Sequence, residues 1–311
     1  MKEDWDTVCK RAMGEPLLLL AFNRPHLFEA QLSALRLLEP RNIYIAIDGP
    51  RPNHGDAGLV KQTRGLISSI DWTCKVRTLI REQNLGCRTG VSSAIDWFFQ
   101  HERQGIILED DILPSRDFFG FCSTLLKRFE SDDRILSICG SNFVPQAEQT
   151  GDYSLRFSRF AHIWGWATWR RTWTSYRADI GEWRRDLPLR ELHQRVGGSL
   201  FETAFWSNTF DGVASSGKDT WDAQLEFLSL RTGSLTVLPR NNLVTNIGFA
   251  SNATHTFQSP DYLQPIGECV WPLRVPLVAA DEAADKWERR FVFRATLSGF
   301  TRRLLGKLGF A

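Results

Sequence analysis

Much of what would announce a function is missing from this sequence. No apolar run approaches the roughly 20 residues needed to span a bilayer. The most apolar stretch near the start, Pro16 to Phe22, is far shorter, and the Glu3-Asp4 pair before it is unlike the basic n-region of a signal peptide. Cysteines number six (Cys9, Cys74, Cys87, Cys122, Cys139 and Cys269), with no CxxC pair and mostly apolar neighbours. They read as buried reduced thiols, and a cytoplasmic chain is expected. Charge of one sign is scarce as well: 38 Lys+Arg against 36 Asp+Glu leaves +2, and no zinc-finger or aromatic RNP-type run accompanies it. No nucleic-acid partner is expected. No GxGxxG follows an apolar run, and no HExxH, GxSxG or Cys/His metal pattern occurs, which disfavours zinc and serine-nucleophile chemistry. Gly212 to Asp219 nearly spells a P-loop, but Asp219 stands where Ser or Thr must hold Mg2+ and no buried strand precedes it, so the match is read as chance.

What is present is a large apolar inventory. With 42% hydrophobic residues over 311 positions the chain buries a sizeable core, in one or two domains, and its composition excludes disorder, collagen and coiled coil. Apolar runs recur at Leu17 to Phe22, Ile43 to Ile47, Val76 to Ile80, Ile106 to Leu108 and Ile135 to Cys139. They read as buried strands. Between them Leu27, Leu32, Leu35 and Leu38, then Val91, Ala94, Ile95, Phe98 and Phe99, keep a spacing close to 3.6 and read as helices on a sheet. This alternation predicts an α/β fold with a parallel sheet. Ligands of such sheets bind beyond the carboxyl ends of the strands. That directs attention to Asn23-Arg24-Pro25, Asp48-Gly49-Pro50, Glu82-Gln83-Asn84 and Glu109-Asp110-Asp111.

The strongest local signal is the triplet Glu109-Asp110-Asp111. Three adjacent carboxylates at the end of a buried strand repel one another unless a cation is present, and hard divalent metals take one or two carboxylates plus phosphate oxygens and water. The triplet is therefore a candidate metal-diphosphate site; alternatively its acids cap the following loop or pair with Arg. Twelve Trp and 21 Phe stand out too, with five Trp between Trp164 and Trp183. They are core, or in part a platform on which sugar rings stack. Helices are expected over 200–213 and 221–231. The segment from Lys286 to Ala311 carries seven Lys/Arg and one acid, with Trp287, Phe291, Leu297, Phe300, Leu304 and Leu308 at helical spacing. A basic amphipathic C-terminal helix is expected there, either docked on the domain or in peripheral contact with an anionic inner leaflet.

Read in order, Phe22-Asn-Arg-Pro25, Ile47-Asp-Gly49, Asn84-Leu-Gly86 and Leu108-Glu-Asp-Asp111 resemble the donor half of the GT-A glycosyltransferases. The resemblance is to the N-acetylglucosaminyltransferase group of the alpha-mannoside and O-mannose types and to bacterial surface-polysaccharide sugar transferases. It continues through Trp164-Gly-Trp-Ala-Thr-Trp169, Trp221-Asp-Ala-Gln224 and Asn246 to His255, covering about residues 16–257. It implies a Rossmann-like, mostly parallel sheet flanked by helices in a domain over 1–257, with a donor half at 16–150, an acceptor half at 151–257 and a C-terminal extension at 258–311.

It also implies metal-dependent, inverting transfer of a sugar from a nucleoside diphosphate, UDP in the first place, to a saccharide or lipid-linked saccharide. In that scheme Arg24, Asp48, Glu109 and Asp110 hold the nucleotide sugar, Asp48 accepting from uracil. Asp111 and His255 hold Mn2+ or Mg2+, and Asp222 is the base. Read on their own residues, Arg24 is a helix-start surface residue, Asp48 a turn residue, Asp222 a helix N-terminal acid and His255 a loop histidine. The sequence departs from the group after Asp222, where Ala223-Gln224 replace an acid and Trp, and Asp219 or Glu226 could serve as base instead. The rival classes are a sugar nucleotidyltransferase, which would carry a Gly-rich loop after the first strand, and a non-catalytic GT-A-like glycan- or partner-binding module.

Overall fold

The computed structural model describes residues 8, 12–249 and 260–296. Each of the five apolar runs forms a strand: β1 (Leu17–Ala21), β2 (Asn42–Ile47), β3 (Lys75–Ile80), β4 (Gln104–Glu109) and, after the short β5 (Ile112–Pro114), β6 (Ile135–Cys139). In β1, β2, β4 and β6 the continuous apolarity follows from burial on both faces, whereas β3 was expected to be buried and is instead mostly exposed, because it is an edge strand and only one side of it is paired. Leu17 and Leu19 pack into one hydrophobic cluster, and Leu18 and Leu20 into the other. Strands β7 (Leu155–Ser158), β8 (Trp166–Trp169) and β9 (Leu235–Pro239) complete an eight-stranded sheet of order β3-β2-β1-β4-β8-β6-β9-β7, and β10 (Val244–Asn246) pairs with β5 alone.

The sheet is mostly parallel. The four strands β3-β2-β1-β4 run together, whereas β8 lies antiparallel to both β4 and β6, and β7 antiparallel to β9. The register pairs Ala21 with Ile47, Ile47 with Ile80, and Leu20 with Glu109, so the strand ends come out along one edge. Because β8 is antiparallel, its start meets that same edge, and Trp164-Gly165 stands beside the end of β4.

Helices α1 (Pro25–Arg36), α2 (Ala57–Gly65), α3 (Gly86–His101) and α4 (Arg116–Arg128) flank the sheet, followed by α5 (Leu200–Ser216) and α6 (Asp222–Thr232). Pro25 starts α1, where its missing N–H costs nothing, and Leu27, Phe28, Leu32 and Leu35 face the core. Ser115 and Ser199 cap α4 and α5 by accepting from the backbone N–H of Phe118 and Glu202. The near-P-loop lies mostly within α5, which runs through Gly212 to Ser216, so it forms no phosphate loop.

The expected C-terminal helix is α7 (Glu282–Phe291), which begins ahead of the basic segment and stops short of Arg294, whose φ is +50°. Of the apolar stripe Trp287 and Phe291 lie on it, while Leu297, Phe300, Leu304 and Leu308 lie outside the described residues. Its inner face is ionic. Arg156 on β7, itself buried, meets Asp285 at 3.5 Å and Glu288 at 3.0 Å, and His162 Nε2 meets Glu288 at 3.0 Å. Burial alone would raise Glu288, but Arg156 and His162 outweigh it and hold the carboxyl down at about 2. No helix among the described residues is long and apolar enough to cross a membrane. The five described cysteines are all free.

Candidate active site

The sheet edge gathers the strand-end residues. Asp110, 2% exposed, is gripped by Arg24, whose Nε lies 3.3 Å from Oδ2 and whose Nη2 reaches Oδ1, while Nη1 donates to Asp111 Oδ2 at 3.1 Å. Burial by itself would lower the Arg24 guanidinium, but the two carboxylates raise it, so it stays charged. Arg24 is thus no surface residue: Pro25 fixes the helix start, and the side chain just ahead of it turns back onto the neighbouring strand end. One cation facing three acids leaves an excess of negative charge. Burial, then Asp111 and Asp110, push Glu109 up to about 8; burial pushes Asp110 up to about 6 against the pull of Arg24.

The turn that carries the triplet is held from below. Gln31, fully buried on the apolar face of α1, donates its side-chain amide to the carbonyls of Glu109 at 2.7 Å and Ile112 at 2.8 Å. On the far side β10 lays Ile247 N–H on the Asp111 carbonyl at 2.8 Å. There Gly248 has to be glycine, since a Cβ would stand 2.5 Å from Asp111 Oδ2.

Asp48 organises the next loop. Its carboxylate accepts from Gly49 N–H at 2.9 Å, from Asn84 Nδ2 at 3.0 Å and from Leu85 N–H, which both oxygens share. These contacts engage both oxygens twice, so a further donor would have to take the place of one half of the shared Leu85 bond. Asp48 is 9% exposed, and burial raises its pKa against those hydrogen bonds.

Asp222 opens α6 on the exposed side of buried Trp221, whose ring stacks on Trp166 at 5.7 Å. Thr220 Oγ1 donates to Asp222 Oδ1. Asp219, three residues ahead of Asp222, binds the first amides of α3 beside the Asp48 loop, which sets the start of α6 next to that loop. The two alternative bases are otherwise engaged. Glu226 is buried and accepts from Ala161 N–H at 2.7 Å, and Asp219 accepts from Cys87 N–H at 2.8 Å and Arg88 N–H at 2.7 Å. His255 and the sequence around it lie outside the described residues. Trp166, Trp169, Trp173 and Trp183 are core, each at most 4% exposed. Trp164 alone of the five is half-buried, edge-on to Phe143 at 5.1 Å and to Phe249 at 5.6 Å.

Among the described residues no three His, Cys, Asp or Glu side chains converge as a metal-holding group. The donor chemistry fits a hard cation bound more sparingly: Asp111 is 17% exposed and spends Oδ2 on Arg24, which leaves Oδ1. One carboxylate with phosphate oxygens and water is a usual shell for Mg2+.

No family model matches the sequence, and no curated protein matches it either. One solved structure to which the chain is similar is a UDP-glucose pyrophosphorylase in complex with UDP-glucose, with a TM-score of 0.36 and 9% identity over 73% of this chain and 90% of that one. The functional reading therefore rests on the site.

Sequence reasoning passed over Gln31, Gly248 and the anchoring role of Asp219. Gln31 had a legible signal, a polar residue on the face that Leu27, Phe28, Leu32 and Leu35 make apolar. A surface cleft of about 610 Å3 lined by Pro188, Arg190, Glu191, Gln194 and Arg195 touches none of the acidic residues above.

Proposed function

We propose that this chain is a metal-dependent, inverting glycosyltransferase that moves a sugar from a nucleoside diphosphate, UDP in the first place, to a hydroxyl of a saccharide or lipid-linked saccharide. What supports the reading is the Arg24-Asp110-Asp111 group and the Asp48 loop at neighbouring strand ends, with Asp219 tying the turn ahead of Asp222 to the helix that follows that loop. The order of motifs supports it: Phe22 to Pro25, Ile47 to Gly49 and Leu108 to Asp111 stand at strand ends, and Asn84 to Gly86 and Trp221 to Gln224 at helix starts. Asp48 accepts from a ring N–H of the base in place of one half of its shared Leu85 bond. Arg24 supplies fixed positive charge, and Glu109 and Asp110 line the side on which the sugar lies. Asp111, with His255, would hold a divalent cation, which when bound neutralises the diphosphate as leaving group. Asp222 takes the proton of the acceptor hydroxyl as that oxygen attacks the anomeric carbon. A single displacement with one carboxylate base inverts the configuration.

The test is a panel of nucleotide sugars incubated with the pure protein and Mn2+, with free nucleoside diphosphate read with and without EDTA. Release from one donor, abolished by EDTA and by Asp111→Ala, is the expected result. The substitution should leave Tm nearly unchanged, because Asp111 is partly exposed and its loss removes one hydrogen bond from Arg24 together with the repulsion of Asp111 on Glu109 and Asp110. Pyrophosphate release from a nucleoside triphosphate and a sugar phosphate would instead establish a nucleotidyltransferase. Silence in both assays, with no nucleotide binding by calorimetry, would leave the binding module.

Membrane contact belongs to the same reading. Lys286, Arg290 and Arg294 are exposed on or just past α7, while its buried acids face the domain. About 1 kcal/mol per basic residue near an anionic surface suffices for peripheral attachment. Sedimentation with phosphatidylglycerol-containing liposomes is expected to capture the chain and to lose most of it in Lys286→Glu/Arg290→Glu; equal capture of both would refute the tail's part.

A further inference from the structure

We infer that Asp219 is a positioning residue that clasps the start of the Asp222 helix to the nucleotide loop, so that the base is set relative to the donor by one internal carboxylate. The inference rests on the proposed transferase reading and goes beyond it, because there Asp219 has no part.

The chain of contacts is continuous. Asp48 holds Asn84 and Leu85; Asn84 Oδ1 in turn accepts from Gly86 N–H at 3.1 Å. Gly86 has φ of +76° and begins α3, which frees the next two N–H groups, those of Cys87 and Arg88. Both are taken by Asp219, one on each oxygen, across 131 or more residues of sequence. A Cβ on residue 86 would stand 2.6 Å from Asp219 Oδ2, so glycine there serves the approach as well as the turn. Arg88 tightens the joint by donating to the carbonyl of Lys218, which also accepts from Thr220 N–H at 2.9 Å. Thr220 then donates its hydroxyl to Asp222, and its carbonyl accepts from Gln224 at 2.7 Å. Tyr176 fixes the Trp221 carbonyl at 3.0 Å from the other side.

A carboxylate on two helix N-terminal amides is an anchor, and both its oxygens are spent there. Loosening it leaves Asp48 and its loop with their own bonds but lets the start of α6 drift. A misplacement of about 1 Å can cost about 10²-fold in rate.

Three variants of the full chain test this, with transfer kcat, nucleoside diphosphate Kd by calorimetry and Tm read for each. Asp219→Ala is expected to lower kcat by about 10²-fold while Kd stays within about twofold. Asp219→Asn, which keeps one acceptor, should recover part of that loss. Gly86→Ala crowds Asp219 and also puts a side chain at φ +76°, so it should lose at least as much kcat as Asp219→Ala, with a loss of Tm that Asp219→Ala does not share. Amide hydrogen exchange at Cys87 and Arg88 should quicken in Asp219→Ala. An unchanged kcat in Asp219→Ala, or losses of kcat, Kd and Tm in parallel, would overturn the inference. An unaltered chain that turns over no nucleotide sugar fails in its own arm of the assay, and overturns the transferase reading together with the positioning role.

Discussion

Asp222→Asn is expected to reduce sugar transfer by about 10³-fold, with nucleotide binding and Tm almost unchanged. General-base catalysis by a positioned carboxylate is worth about 10²–10⁴-fold, and the amide cannot take the proton from the attacking hydroxyl. The folding side of the substitution is small. Asp222 is exposed in the first turn of α6, where its interaction with the helix dipole is worth about 0.3–1 kcal/mol, and Asn keeps its shape and its acceptor for Thr220. The other acids nearby offer no substitute, Asp219 being bound to two amides and Glu226 buried against Ala161. Single-turnover rates with saturating donor separate chemistry from product release. A variant retaining transfer within about tenfold of the unaltered chain would place the base elsewhere.

Arg24→Met should produce the largest stability loss of any single substitution at this edge, about 3–5 kcal/mol at pH 8. It leaves Asp110, 2% exposed, without the guanidinium that grips it, and keeps the chain volume roughly constant. The loss is pH-dependent with a definite sign. Burial has already raised Asp110 to about 6 with Arg24 in place, so its ionisation weighs against the fold as pH rises from the unfolded value of about 4 through 6. Without Arg24 the folded pKa climbs further, and the penalty goes on growing above pH 6. The difference in Tm between the two proteins is therefore expected to be small near pH 5 and to open above pH 6. Asp110→Asn in the Arg24→Met background should close most of it. A gap that is the same at pH 5 and pH 8 would show that Arg24 acts through packing. Nucleotide affinity should fall as well, since the loop beyond β1 loses its fixed positive charge.

The elements that were legible share a cause. Leu17 to Ala21 and Ile43 to Ile47 are apolar at every position, and Ile135 to Cys139 at all but Ser137, because both faces of those strands are covered, and the helices between them show their buried stripe directly. Strand β8 was not legible. Its four residues, Trp166-Ala-Thr-Trp169, sit in an aromatic-rich stretch whose Trp density invites a sugar-platform reading. In the fold Trp166 packs in one cluster while Ala167 and Trp169 pack in the other, the period of two of a strand, too short a run to read in isolation. Helix α4 escaped for a different reason: its eight buried residues include Gly120 and Ser123 among the aromatics, which blurs the helical stripe.

At the site, residue types were readable and partnerships were not. That Glu109, Asp110 and Asp111 need positive charge follows from Coulomb repulsion alone, and that Arg24 and Asp48 lie at strand ends follows from where the apolar runs stop. Which cation answers which acid was decided by strand order: β1 lies beside β4, so the residue three beyond Ala21 reaches the acids 86 and 87 positions later. The anchoring of Asp219 on α3 likewise joins residues more than 130 apart, through a backbone turn at Gly86 that has no signature other than the glycine itself. The sequence by itself determined the buried strands, the helices with a clear apolar stripe and the acidic edge, because burial and charge density are written locally in residue type. Only the tertiary structure decided that Asp219 is spent on the amides of Cys87 and Arg88 and that Glu226 is buried with one oxygen on Ala161, because a carboxylate's role depends on which donors the packed chain brings within hydrogen-bond reach.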